Sequence, residues 1–163
     1  MDFVKAQVQC SQKIMPCQEN GMKFILNNPS KKLVKQYEVD GNLISGQGQR
    51  KCDFMYEVFE PKSCIKYVDS KLQNCNDIAP FLSSAVYVEL KGTDFLHAVD
   101  QIDETAKVLK QRHIKCKNKL GFIICSGVRH PKLTTTIQKL KVRMKKSHQI
   151  TLKIETKIGS HKV

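Results

Sequence analysis

Hydrophobic positions along the chain change period near residue 33. Before it, Phe3, Val4, Ala6, Val8, Ile14 and Met15 recur at uneven helical intervals up to Pro16, which predicts a helix over 2–15. Met22 to Leu26 is a short apolar run that extends this helix or forms a second turn, and Asn27 to Ser30 breaks the chain. After residue 33 the pattern is β. Leu33 to Val39 and Leu43 to Ser45, around Asp40-Gly41, predict a hairpin. A polar loop, 46–49, then feeds a strand that contains Asp53 and ends at Pro61. Cys64 to Asp69 is a candidate further strand, and Leu72 to Ser84 reads as loop with a short turn.

The second half alternates more clearly. Val86, Val88 and Leu90 line one face of a strand, and Gly92-Thr93-Asp94 then opens a helix to Arg112 with Thr93 or Asp94 as its cap. Its apolar positions, Phe95, Val99, Ile102, Ala106 and Leu109, make one core stripe. Gly121 to Cys125 is almost continuously apolar, as in a strand buried on both faces, and the strand-helix-strand order predicts parallel pairing through a right-handed crossover. Pro131 starts a last helix with Leu133, Ile137, Leu140 and Met144 on one side; Gln149 to Ile154 alternates as a final edge strand. The expected fold is α/β, a mixed central sheet flanked by helices.

At 163 residues the chain fits one domain, 1–163, that buries a core without disulfides. Its seven cysteines are an odd number with no Cys-x-x-Cys pair, and neither a signal peptide nor a long apolar span is visible, so a reduced, cytoplasmic protein away from membranes is expected. His113 and Cys116 have ligand-like spacing but no second such pair to complete a zinc site. Charge is lopsided. Residues 1–104 hold 12 Lys and Arg against 14 Asp and Glu, net −2, whereas residues 105–163 hold 16 against Glu155 alone, net +15. A basic third beside a slightly acidic remainder suits a phosphodiester partner, DNA or RNA; the sparse aromatics and the absence of tryptophan argue against a base-stacking single-strand binder.

Candidate chemistry sits at the end of the Val86 strand. Glu89 and Lys91, two residues apart, share the face opposite Val86, Val88 and Leu90, so a carboxylate and an ammonium converge there. Asp53 is the candidate for the missing second acid. Two carboxylates suit a hard cation, and the ammonium suits charge building on a phosphate.

Asp53, Glu89-x-Lys91 and the helix that follows resemble the PD-(D/E)xK nuclease superfamily, the restriction endonuclease-like fold. Cys52 stands where the family name has proline, and about thirty residues separate the motif strands. The resemblance implies an αβββαβ core, here with an appended C-terminal helix and strand. It implies Mg²⁺, with Mn²⁺ substituting, held by Asp53, Glu89 and the Leu90 carbonyl, with Lys91 positioning the nucleophile. It also implies in-line cleavage to a 5′-phosphate and a 3′-hydroxyl, and a homodimer where both strands are cut. Gln101 resembles a helix glutamine that faces the active site in several branches, with His97 one turn earlier; Glu57, on the same strand face as Asp53, is a candidate auxiliary ligand, and Glu19, near the first helix, a candidate for the upstream acid that some relatives use.

A rival acid-x-lysine pair, Asp69 and Lys71, lies nearer Asp53, but it runs into a polar loop rather than a capped helix. For nucleic-acid contact the candidates are Arg50 and Lys51 beside Asp53, Arg129 and His130 at a strand-to-helix loop, and Lys132, Lys139, Arg143, Lys145 and Lys146 along the last helix. Hydrolysis of DNA is the leading expectation. The alternatives are a nuclease directed at RNA and a module of the same fold that binds nucleic acid without chemistry, such as a repair or defence accessory.

Overall fold

The computed structural model describes residues 1–46, 48–60, 78–127 and 131–163, the last stretch without the side chains of residues 131–134. Nine strands, β1 (Gln7–Cys10), β2 (Ile14–Glu19), β3 (Met22–Asn27), β4 (Leu33–Glu38), β5 (Phe54–Phe59), β6 (Leu82–Lys91), β7 (Asn118–Cys125), β8 (Ile150–Thr156) and β9 (Ile158–Lys162), combine among the described residues with helices α1 (Phe95–Val108) and α2 (Pro131–His148). Six strands form the main sheet in the order β1-β4-β5-β6-β7-β8; β2-β3-β9 form a second, smaller sheet.

β6 is the pivot of the main sheet. It pairs antiparallel with β5, Phe54 opposite Val88, and parallel with β7, Glu89 opposite Ile123. The parallel pairing across α1 and the placement of β8 at a sheet edge agree with the sequence pattern. All five residues of the α1 stripe, Phe95 through Leu109, are buried with Ala85, Tyr87 and Ile123. Met144 of α2 is buried in the same cluster, with Ile137 and Leu140 packed against it. On the opposite face Val86, Val88, Leu90 and Phe122 pack against Met15, Phe24 and Leu26 of the small sheet. The parity read from the sequence therefore holds: Val86, Val88 and Leu90 turn away from the helices.

The N-terminal third departs from expectation. Residues 2–15 form no helix; β1 joins the main sheet beside β4, and β2 and β3 form a hairpin. Asn20-Gly21, both at positive φ (49° and 76°), makes the reversal, because this pair tolerates the left-handed backbone of a tight hairpin turn. Met15 and Cys17, then Met22, Phe24 and Leu26, are buried at period two. Pro16 lies in β2, an edge strand, where a missing N–H is tolerated. The expected strand at 43–45 is also absent: β4 pairs with β5, and Asp40-Gly41 begins the connection between them. β9, unforeseen, leaves the main sheet at Lys157, whose φ of 62° permits the corner, and pairs parallel with β3. The expected strand at 64–69, with Asp69 and Lys71, lies outside the described residues.

Candidate functional site

Asp53, Glu89 and Lys91 meet at the C-terminal end of β6, where the parallel strands give way to α1. Ligands gather at this end in open α/β sheets. Asp53 precedes β5 by one residue, and its Oδ2 accepts the Leu90 backbone N–H at 2.7 Å. Extending the β5–β6 register by one step sets Asp53 opposite Glu89. Glu89 is 1% exposed, and its Oε2 is buried without a hydrogen-bond partner. Lys91 is half-buried.

Electrostatics follow from that enclosure. Burial, reinforced by the Asp53 charge, pushes the Glu89 carboxyl up to about 9, with Lys91 and the Asp53 backbone N–H offsetting part of the rise. Burial also pushes Asp53 up, to about 6; the Leu90 N–H and Lys91 oppose it, and Glu19 and Asp40 reinforce it. Glu19, at the end of β2, therefore acts on both acids through its charge, from a strand and not from the expected first helix. Two desolvated carboxylates that each resist ionisation form a site suited to a cation. The unpartnered Glu89 oxygen and an all-oxygen donor set fit a hard divalent ion. Among the described residues no group of three or more His, Cys, Asp or Glu side chains is placed to hold a metal, so protein carboxylates alone do not complete a shell.

Around this centre the side chains fall into place unevenly. Gln101 donates from Nε2 to the Lys51 carbonyl at 2.8 Å, and its Oε1 is buried without a partner. Asp94, as N-cap, accepts the His97 N–H at 3.1 Å. Arg50 and Arg143 both reach Asp100, at 2.6 and 3.3 Å, which brings two expected phosphate contacts together from distant parts of the chain. Lys51 is different. Only 8% exposed, its ammonium is paired with Asp40 at 3.2 Å, so it is not an open phosphate contact. Lys139 is exposed on α2, whereas Arg129, His130 and the Lys132 side chain lie outside the described residues.

Glu57 is not an auxiliary ligand. It lies four residues along β5 from Asp53, fully buried, and accepts hydrogen bonds from Arg112 Nε, Arg112 Nη2 (2.7 Å) and Tyr37 Oη (3.1 Å). His113 Nε2 stands 3.0 Å from Glu57, and its Nδ1 bonds Tyr87 Oη. Burial raises the Glu57 carboxyl, but the Arg112 and His113 hydrogen bonds outweigh it and hold the group below the ordinary range. The same network takes His113 away from zinc, and Cys116 Sγ turns to the Asn118 carbonyl at 3.3 Å. Neither this network nor the hydroxyl of Thr105, which accepts the Cys52 N–H at 2.9 Å, had a local sequence signal. Among the described residues no helix is long and apolar enough to cross a membrane. Searches of family models, curated proteins and solved structures found no match to this chain.

Proposed function

We propose that the chain is a metal-dependent phosphodiesterase that hydrolyses DNA, with Asp53, Glu89 and Lys91 as its reacting centre. The single observation that carries this reading is a buried carboxylate, Glu89, opposite a half-buried one, Asp53, at the loop end of β6, both within the field of the Lys91 charge. Burial raises the proton affinity of both acids, the Asp53 charge adds to that of Glu89, and a divalent cation relieves both penalties at once. Mg²⁺ is the natural occupant, with Mn²⁺ substituting, since the donors are hard oxygens and the ion keeps several waters. Asp53, Glu89 and, by the PD-(D/E)xK resemblance, the Leu90 carbonyl would hold it. When bound, such an ion supplies Lewis acidity toward a phosphate and acidifies water.

The chain's own residues do the rest. Asp53 keeps one oxygen on the Leu90 N–H, so its carboxylate direction is set by the strand and not by solvent. Lys91 places a positive charge where negative charge builds during attack on phosphorus. Exposed cations of the C-terminal third, Lys139 and Lys146 among them, would neutralise the nucleic-acid backbone.

Supercoiled plasmid incubated with Mg²⁺ or Mn²⁺ tests the reading. The wild-type chain should nick or linearise it, and Glu89→Ala and Lys91→Ala should leave it intact. The concentration of positive charge in residues 105–163 favours a second reading, a nucleic-acid-binding module without chemistry. That module would retard DNA or RNA without cutting it, and would be indifferent to both substitutions.

A further inference from the structure

Helix α1 grips the segment before Asp53 residue by residue. Asp100 Oδ2 takes Arg50 Nη1 at 2.6 Å, Gln101 Nε2 donates to the Lys51 carbonyl at 2.8 Å, and Thr105 Oγ1 accepts the Cys52 N–H at 2.9 Å. The next residue is Asp53. Its own carbonyl accepts the Val39 N–H at 2.8 Å, so the acid is pinned from both sides, by β4's end and by α1.

Thr105 is the most enclosed of these anchors, at 0% exposure. Its hydroxyl donates to the Gln101 carbonyl at 2.8 Å, which sends the hydrogen into the helix and leaves a lone pair facing Cys52. A threonine inside a helix is a poorer former than alanine or leucine, and its back-bond to the preceding turn slightly weakens the helix. What offsets that cost here is a buried bond spanning 53 residues. Without it the Cys52 N–H would be left desolvated and unpaired at the point where β5 begins.

We propose that Thr105 is a positioning residue for Asp53: by fixing the Cys52 backbone it sets the reach of the Asp53 carboxylate to the Leu90 N–H. Its consequence for a metal rests on the function proposed above; its consequence for the Asp53–Leu90 bond does not. Outer partners of this kind change metal affinity by roughly 10- to 100-fold when removed.

The test compares Thr105→Val, which keeps the shape and loses both hydrogen bonds, with Thr105→Ser, which keeps the hydroxyl. Hydrogen exchange by NMR on the full chain reads the Leu90 amide against the Val88 amide of the same strand. Thr105→Val should speed Leu90 at least about tenfold relative to Val88, since an amide that loses its acceptor opens independently of its neighbours; Thr105→Ser should follow the wild type. A uniform rise at both amides would be loss of stability alone and would overturn the proposal. Calorimetry with Mn²⁺ should show affinity about 10- to 100-fold weaker in Thr105→Val and preserved in Thr105→Ser. If the wild type binds no Mn²⁺, the metal reading fails and the Leu90-to-Val88 ratio still decides the positioning role. Should Thr105→Val not fold, Gln101→Met, which releases the Lys51 carbonyl, takes the same exchange test, and an unchanged ratio there sinks the idea.

Discussion

The Asp53 carboxylate and the Leu90 backbone N–H are joined at 2.7 Å across 37 residues of sequence. This bond continues the β5–β6 pairing by one rung, with a side chain in place of a main-chain carbonyl. It couples the acid on one strand to the residue between Glu89 and Lys91 on the other, so a disturbance of either strand end is felt by all three groups.

Glu89 makes stability depend on pH in an unusual direction. Its carboxyl is at about 9 in the folded chain, well above the unfolded value. A group whose folded pKa is raised contributes stability below its unfolded pKa, near 4.3, and that contribution is lost as pH rises toward 9. Glu89→Gln, which needs no proton, should therefore stabilise the metal-free chain by on the order of 4 kcal/mol at pH 8 and by less than about 1 kcal/mol at pH 5. Urea unfolding at the two pH values measures the difference; equal effects would contradict it.

Arg112→Met should be costly, because it leaves the Glu57 charge buried with one strong partner gone. Breaking a buried pair from one side costs about 3–5 kcal/mol. The sign with pH is opposite to that of Glu89: the depressed Glu57 pKa contributes stability above its unfolded value, lost as pH falls through the folded one. The penalty of Arg112→Met should thus be largest near neutrality and shrink in acid, as followed by thermal unfolding.

Neutralising exposed cations on α2 should weaken nucleic-acid binding without regard to sequence. Lys139→Gln with Lys146→Gln removes two of them, and the slope of log affinity against log salt should fall by about 2 for duplex DNA. Fluorescence anisotropy across a salt series gives both numbers. An unchanged slope would place the nucleic acid elsewhere.

Four thiols should resist alkylation in the native chain. Burial pushes Cys17 up to about 12 and Cys116 up to about 11, holds Cys52 well above the ordinary value and raises Cys125, so little thiolate is present at pH 8. Iodoacetamide followed by peptide mass mapping should label half-exposed Cys10 before any of these, and should label all of them in urea.

Legibility followed the range of the interactions. The α1 stripe, the parallel β6–β7 pair and the facing of Val86, Val88 and Leu90 away from Glu89 were readable because each is a local period set against a buried surface. The first third misled for a related reason. Residues 2–15 scatter their apolar side chains at spacings that suit a helix as well as strands, while Asn20-Gly21 and the period-two run from Met22 to Leu26 carried the hairpin. Glu57 shares strand parity with Asp53, which made it look like a ligand; Arg112, His113 and Tyr37, all at least 20 residues away, decide otherwise.

By itself the sequence determined which residue types were on hand: one acid within a strand and one at a strand's start, a lysine two positions on from the first, a capped amphipathic helix behind them and a basic C-terminal third. Tertiary structure alone decided that Asp53 reaches Leu90, that Glu89 is desolvated, that Lys51 is tied to Asp40, and that Thr105 holds Cys52. The physical reason is that local periodicity encodes which face a side chain takes, whereas proton affinity and hydrogen-bond partnership depend on what is packed against that face from far along the chain.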